Sequence, residues 1–155
     1  MKIHPSLIFA VALFIMLSIP SVCLASGGDS HEKKEAGPNG GRLITSVEPH
    51  VEFFVTEDKK VQISFVDVKG NVVAPVEQIV EVTTGERRAP VKLTFEKKDS
   101  VWLSEQTLPE GDRLPTVVQI RQTPDSKTVV ERFNLDLAHC SECNLKEYAC
   151  TCAHH

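Results

Sequence analysis

The stretch from residue 51 to residue 67, VEFFVTEDKKVQISFVD, decides the fold class of this 155-residue chain. Two rows of apolar side chains recur in it at every second position: Val51, Phe53 and Val55, then Val61, Ile63 and Phe65. Alternation with a period of two places one face of a β-strand on a core and the other face in water. The polar residues EDKK between the two rows indicate a chain reversal. The stretch therefore predicts two strands, with intervening residues such as Glu52 on the water side.

Similar short runs recur in both directions along the chain, separated by turn sequences such as KGN, TGERRAP and LPEGDRLP. They predict about eight strands, near residues 42–47, 50–56, 60–67, 76–83, 90–97, 100–106, 115–122 and 127–137. Many short strands at this spacing, with no convincing helix, are typical of a sandwich or a barrel. We expect an all-β antiparallel sandwich over residues 42–138, and the strand order stays open.

The N-terminus has the pattern of a secretory signal. A charged start precedes an apolar run from Leu7 to Ile19 and a small-residue exit, so we expect cleavage after Ala25. The apolar run is shorter than the ~20 residues that span a bilayer. A lipoprotein modified at Cys23 is the alternative. The polar, glycine-rich residues 26–41 then predict a flexible leader.

Export predicts a periplasmic or secreted protein in an oxidising compartment, where paired cysteines tend to form disulfides. Removal of the signal deletes Lys2 and no acid, so the formal net charge moves from −4 to −5. A mildly acidic chain lacks the basic face that nucleic-acid binding needs. We therefore expect no nucleic-acid partner, and no membrane span after signal cleavage.

The sequence offers little support for catalysis. It contains no G-x-S-x-G, glycine-rich phosphate loop or H-E-x-x-H motif. His50 and Glu52, followed far downstream by a C-x-x-C pair, have the order of a zinc deaminase, but they open an alternating strand. The C-x-x-C pair also lacks the strand–helix setting of a thioredoxin-like redox site. We expect a protein that is not an enzyme.

The C-terminal residues 138–155, AHCSECNLKEYACTCAHH, carry most of the ligand chemistry of the chain. The candidate metal ligands of this tail are Cys140, Cys143, Cys150, Cys152, His139, His154 and His155. In one continuous helix Cys140 and Cys150 would lie ~15 Å apart, too far for a single ion. One metal site therefore requires the tail to fold back, with SEC and CTC as its two jaws. Thiolates favour soft or borderline ions, so Cu(I) and Zn(II) are the candidates.

Two disulfides are the competing interpretation of the tail. Four cysteines allow three pairings, and a folded-back tail could join Cys140 to Cys152 and Cys143 to Cys150. A bridge within Cys150-Thr151-Cys152 would close a small, strained ring. Thiol exchange is a minor third hypothesis.

The segment GPNGGRLITSVEPHVEFFVTEDKKVQISFVD, read together with the cysteine-rich tail, resembles a group of small exported bacterial proteins of unassigned function. That resemblance covers nearly all of the chain after the signal. The segment from Gly37 to Arg42 is also similar to periplasmic adaptors of heavy-metal efflux pumps, in which HGG precedes a strand. This chain carries Asn39 where the adaptors carry histidine, and it lacks their long hairpin and lipoyl parts. The second resemblance implies an association with metal handling, and with it a metal-efflux or other envelope protein as a partner.

These patterns together predict an exported soft-metal-binding protein that acts as a carrier or a sequestering protein through residues 139–155. The competing hypothesis is a non-catalytic structural or interaction domain of the cell envelope, whose tail cysteines form disulfides.

Overall fold

The alternating rows of the sequence form paired strands in the computed structural model, which describes residues 34–152. The described part of the chain contains ten strands, which are β1 Arg42–Ile44, β2 His50–Val55, β3 Lys60–Val66, β4 Val72–Val73, β5 Ile79–Glu86, β6 Ala89–Leu93, β7 Phe95–Lys98, β8 Val101–Thr107, β9 Arg113–Arg121 and β10 Val129–Asp136. A 3₁₀ turn follows at Glu147–Ala149. The predicted signal at residues 1–25, with Cys23, and the histidines His154 and His155 lie outside the described residues.

The strands form two antiparallel sheets, which confirms the predicted all-β sandwich class. One sheet has six strands in the order β1-β2-β3-β8-β7, with β4 paired to the far end of β3. The other has four strands in the order β10-β9-β5-β6. Strand β1 is therefore an edge of the first sheet and β10 an edge of the second.

The core lies on the two apolar rows that opened the sequence analysis. In the register of β2 and β3, Val51 lies opposite Phe65, and Phe53 lies opposite Ile63. These four side chains have no exposed surface. The second sheet faces them with the same alternation, and its buried apolar residues are Val80, Val82, Leu93, Leu114, Val118, Ile120 and Leu135. Cross-strand apolar pairs of this kind are the unit that stabilises a sheet.

The predicted strand 90–97 is two strands in the structure. The chain leaves the four-stranded sheet after Leu93 and enters the six-stranded sheet at Phe95, so that Thr94 is the crossing point. Strands β6 and β7 are edge strands of their sheets, and the two sheets cover the same core. The row of side chains that faces this core therefore continues from β6 into β7, although the chain changes sheets. Period-two alternation therefore could not show the break. The two-residue strand β4 is also absent from the sequence prediction, because two residues have no measurable period.

The prediction that Glu52 lies on the water side of its strand is wrong, because its side chain is fully buried. The reason is a turn at Gly37–Gly41 that lies over it, in the part of the leader that was predicted to be flexible. The Glu52 carboxylate accepts hydrogen bonds from the Asn39 backbone N–H at 2.8 Å, the Asn39 side-chain amide at 2.7 Å and the Gly41 N–H at 2.9 Å. A buried charge needs such partners. The turn thus satisfies the carboxylate, and the carboxylate holds the turn on the sheet.

Candidate metal centre

The tail folds back on itself after β10, as a single metal site requires. His139 and Lys146 form an antiparallel bridge at the neck of a loop. Inside that neck, the Cys140 N–H donates to the Leu145 carbonyl at 2.9 Å. The 3₁₀ turn then returns the chain toward this loop. The six residues between Cys143 and Cys150 are thus long enough to bring the two jaws together.

Four sulfur atoms meet where the jaws close, and we refer to Cys140, Cys143, Cys150 and Cys152 as the four-cysteine centre. All four Sγ atoms lie within 4.8 Å of one another. Cys150 Sγ is 3.4 Å from Cys140 Sγ and 3.6 Å from Cys143 Sγ. Cys152 Sγ is 3.9 Å from Cys140 Sγ. All four are free cysteines in the structure.

These distances suit a tetrahedral thiolate site. Zinc–sulfur bonds of ~2.3 Å at a tetrahedral angle separate the sulfurs by about 3.8 Å. Three of the six sulfur pairs are 3.4–3.9 Å apart here, and all six are within 4.8 Å. Four thiolates at this spacing would repel one another, so the fully deprotonated set needs a cation at its middle. The donor set can therefore hold a soft or borderline metal ion.

Backbone N–H groups approach the sulfurs of the first jaw. Hydrogen bonds from the N–H of Glu142 and then of Cys143 hold the pKa of the Cys140 thiol below its usual value. At Cys143, a hydrogen bond from the Thr151 N–H is the largest cause that lowers the thiol pKa to about 7. An N–H directed at sulfur favours the thiolate over the thiol, because it solvates the negative charge. The first jaw is thus arranged to carry negative charge.

The second jaw has the opposite tendency in the metal-free protein. Burial is the main cause that raises the pKa of the Cys150 thiol. Hydrogen bonds with Cys143 and then with Cys150 raise the pKa of Cys152. Without a cation the four groups therefore share their protons unequally, and metal binding would release the protons that remain.

Tyr148, in the 3₁₀ turn, anchors the second jaw to the sandwich. Its side chain is buried among core residues and lies edge-on to Phe53, with ring centroids 5.9 Å apart. Its hydroxyl accepts a hydrogen bond from the Val55 N–H at 3.0 Å. Burial raises the pKa of the Tyr148 hydroxyl to about 12, so the group stays protonated at neutral pH. Part of the tail thus packs in the same hydrophobic core as the strands of the sandwich.

Arg42 forms a second anchor on the same edge. Its guanidinium pairs with Glu131 at 2.7 Å and lies over the Phe133 ring, 4.8 Å from the centroid. It also donates to the Tyr148 carbonyl at 3.4 Å. An arginine can make these contacts together because its planar group offers several donors and a flat face. Arg42 thereby links β1, β10 and the turn that carries the second jaw.

The predicted histidine ligands have a different outcome from the cysteines. The structure does not bring His139 into the four-cysteine centre, since its Nε2 lies 2.9 Å from Lys146 Nζ. The structure does not describe His154 and His155. His50 of the deaminase-like motif lies at a strand start, where its Nδ1 is 2.7 Å from the Val47 carbonyl oxygen.

Sequence reasoning did not find the anchoring residues Tyr148, Arg42 and Glu52. One signal was present for the first, because Tyr148 is the only tyrosine of the chain and lies between the two cysteine pairs. An aromatic residue within such a short polar loop indicates a contact with a core. Arg42 and Glu52 carry no local signal, because their partners are distant in the sequence.

Comparisons with family models, curated proteins and solved structures found no match to this chain. Within residues 34–152, no helix has the length and the apolar character that crossing a membrane requires.

Proposed function

We propose that this protein binds one soft metal ion, Cu(I) or Zn(II), through the four-cysteine centre and acts as an exported carrier or sequestering protein. One observation carries the proposal: four sulfurs from two separate segments converge within 4.8 Å. The Tyr148 and Arg42 contacts hold the second jaw against the sandwich from outside the centre. A rigid supporting shell of this kind is what metal sites require.

The chemistry of the four thiolate donors narrows the choice of metal ion. Four thiolates complete a tetrahedral zinc site, whereas Cu(I) is content with two or three of them. All six separations among the four sulfurs are within 4.8 Å and suit the full set, so Zn(II) would use all four ligands and Cu(I) only part of them. Export and the carrier role rest on the signal-like N-terminus and on the resemblance of residues 37–42 to pump adaptors.

The competing function is an interaction domain of the cell envelope with two tail disulfides. The sulfurs of that pairing, Cys140 with Cys152 and Cys143 with Cys150, are 3.9 Å and 3.6 Å apart. A disulfide bond needs ~2.05 Å. The free thiols at metal-like spacing support the metal-binding proposal over this one.

Native mass spectrometry on protein purified from its own compartment, without reductant, tests the proposal. We expect the mass of one copper or zinc ion per chain. The ion should disappear when all four cysteines are replaced by serine, and it should persist in Asn144→Ser, a change at an exposed position of the same loop. A metal-free chain that is lighter by about four hydrogens, two per disulfide, would overturn the proposal.

A further inference from the structure

The four sulfurs of the centre are not equally accessible. Cys140 and Cys150 are buried, with 6% and 4% of their surface exposed, whereas Cys143 and Cys152 are partly exposed. Each cysteine pair, Cys140 with Cys143 and Cys150 with Cys152, therefore contributes one inner and one outer sulfur. The outer pair defines one open face, which we call the Cys143–Cys152 face.

The inner side of the centre is closed by the sandwich. Tyr148 and Ala149, directly before Cys150, are buried members of the hydrophobic core. The small cavity that remains beside Cys150 has a volume of about 40 Å³, and Arg42 and Leu43 help to line it. That volume holds about one water molecule. Among the described residues, the Cys143–Cys152 face is thus the most accessible route from solvent to a bound ion.

The two outer sulfurs differ in how firmly the backbone holds them. The N–H groups of Thr151 and Leu145 are directed at Cys143 Sγ. The groups that act most strongly on Cys152 Sγ are instead Cys143, Cys150 and Cys140 themselves. Cys152 also follows the last 3₁₀ turn, in a stretch without helix or strand. Its side chain can therefore move away from an ion without breaking regular secondary structure.

We propose that an incoming thiol replaces Cys152 at the bound ion, and that the metal is handed over through the Cys143–Cys152 face to a protein or peptide with a pair of exposed cysteines. This inference rests on the proposed metal-binding function. In the first step a metal–sulfur bond forms to the acceptor, and the bond to Cys152 Sγ breaks. The acceptor thiol's proton passes to the Cys152 thiolate, so charge balances and no electron is transferred. The acceptor's second thiol then replaces Cys143 in the same way. The bonds to Cys140 and Cys150 break last, when a second acceptor dithiol replaces these two sulfurs by the same exchange and its protons pass to their thiolates.

A dithiol acceptor fits this face because it can occupy both outer positions in turn. Its second thiol acts at a high effective concentration once the first is bound. An ion held by the two inner sulfurs and two acceptor sulfurs keeps four ligands throughout. Chelators with oxygen and nitrogen donors gain no such advantage from soft ions.

Stopped-flow transfer from the zinc-loaded protein to dithiothreitol tests the inference, with EDTA as the comparison. We expect the transfer rate to rise in proportion to the dithiothreitol concentration and to exceed the rate with EDTA. Cys152→Ser should keep one ion per chain and release it about tenfold faster, because weaker binding of this kind appears mainly in the off-rate. Both variants are dialysed against metal-free buffer before the measurement. The matched inner variant Cys150→Ser should lose its ion in this dialysis, whereas Cys152→Ser should retain it.

Two results would overturn the exchange route. One is a wild-type transfer rate that does not depend on dithiothreitol concentration, since release would then precede capture. The other is equal behaviour of Cys152→Ser and Cys150→Ser. A wild-type protein that binds no ion would instead overturn the proposed function itself. Limited alkylation of the loaded protein with iodoacetamide adds an independent readout, in which Cys152 should be labelled first and Cys140 and Cys150 last.

Discussion

The hydroxyl of Tyr148 accepts a hydrogen bond at 3.0 Å from the backbone N–H of Val55, which lies 93 positions earlier in the chain. Strand β1 pairs with β2 only as far as Phe53, so its strand pairing does not reach Val55. Unpaired donors at a sheet edge favour wrong pairings and cost free energy when they are buried. The tail thus supplies an acceptor for a backbone N–H that β1 does not pair with, at the sheet edge to which the tail is anchored.

Replacement of Tyr148 by phenylalanine should therefore lower the free energy of unfolding by about 1–2 kcal/mol, because the Val55 N–H loses its acceptor. Urea denaturation measures the change. Ser126→Ala is the matched control, since that hydroxyl accepts the Thr123 N–H in an exposed turn, where water can replace it. Its cost should stay within about 0.5 kcal/mol. Equal costs in the two variants would show that the Tyr148 hydroxyl does not support the sheet edge.

Glu52→Gln should destabilise the domain by about 2 kcal/mol, because hydrogen bonds to a charged group are stronger than those to an amide. The Gln amide also presents an N–H₂ group where Asn39 and Gly41 now donate. Glu81→Gln is the control, since Glu81 is only half-buried and forms its ion pair with the exposed Lys92 at 2.7 Å. Its loss should be near 0.5 kcal/mol. Thermal unfolding measures both variants, and equal melting temperatures of the two would contradict the prediction.

Gly37→Ala should be destabilising because the new methyl group would overlap the Glu52 carboxyl group. Removal of that carboxyl group in Glu52→Ala should relieve the overlap. We expect the double variant to be more stable than the sum of the single changes by about 1–2 kcal/mol. Gly70→Ala provides the control cycle, since a methyl group there has nothing within 4 Å. Its effect should add to that of Glu52→Ala within about 0.5 kcal/mol, and coupling as large as that at Gly37 would argue against a specific overlap.

Arg42→Lys should cost about 1 kcal/mol, since a lysine ammonium cannot pair with Glu131 and also cover the Phe133 ring. Arg113→Lys, at an exposed side chain that pairs with Asp136 at 2.8 Å, should change the free energy of unfolding by less than about 0.5 kcal/mol. Urea denaturation of both variants measures the two changes in the free energy of unfolding. A larger effect at Arg113 would contradict the anchoring role of Arg42.

Removal of the metal by a chelator should lower the free energy of unfolding, because the ion binds the folded chain and not the separated jaws. At an ion concentration about 1,000 times the Kd, the expected loss is about 4 kcal/mol. Differential scanning calorimetry before and after chelation measures it. The variant with four serines should show no response to the chelator, and an equal response there would assign the effect to another site.

The sequence was informative wherever the signal is local. The rows at Val51–Val55 and Val61–Phe65 predicted β2 and β3, because alternation directly reflects the two sides of a strand. The cysteine spacing also indicated that a single metal site requires the tail to fold back, since one ion could not reach both ends of a continuous helix. These inferences depend only on the geometry of neighbouring residues.

Only the tertiary structure decided what covers each face and edge. Glu52 lies at a position that alternation assigns to water, and the Gly37–Gly41 turn buries it. His139 is next to Cys140 in the sequence, yet its Nε2 lies 2.9 Å from Lys146 Nζ and it is not a member of the four-cysteine centre. Neither outcome follows from local spacing, because each depends on a group that is brought near by the fold.

The sequence by itself thus determined the sandwich class and the set of four thiols, because periodicity and spacing are properties of the chain. The tertiary structure decided that Tyr148 and Arg42 hold the second jaw, and that Cys150 lies inside while Cys152 lies at the open face. Accessibility and hydrogen-bond partners are set by contacts between distant segments. A pattern of residue types along one chain does not contain those contacts.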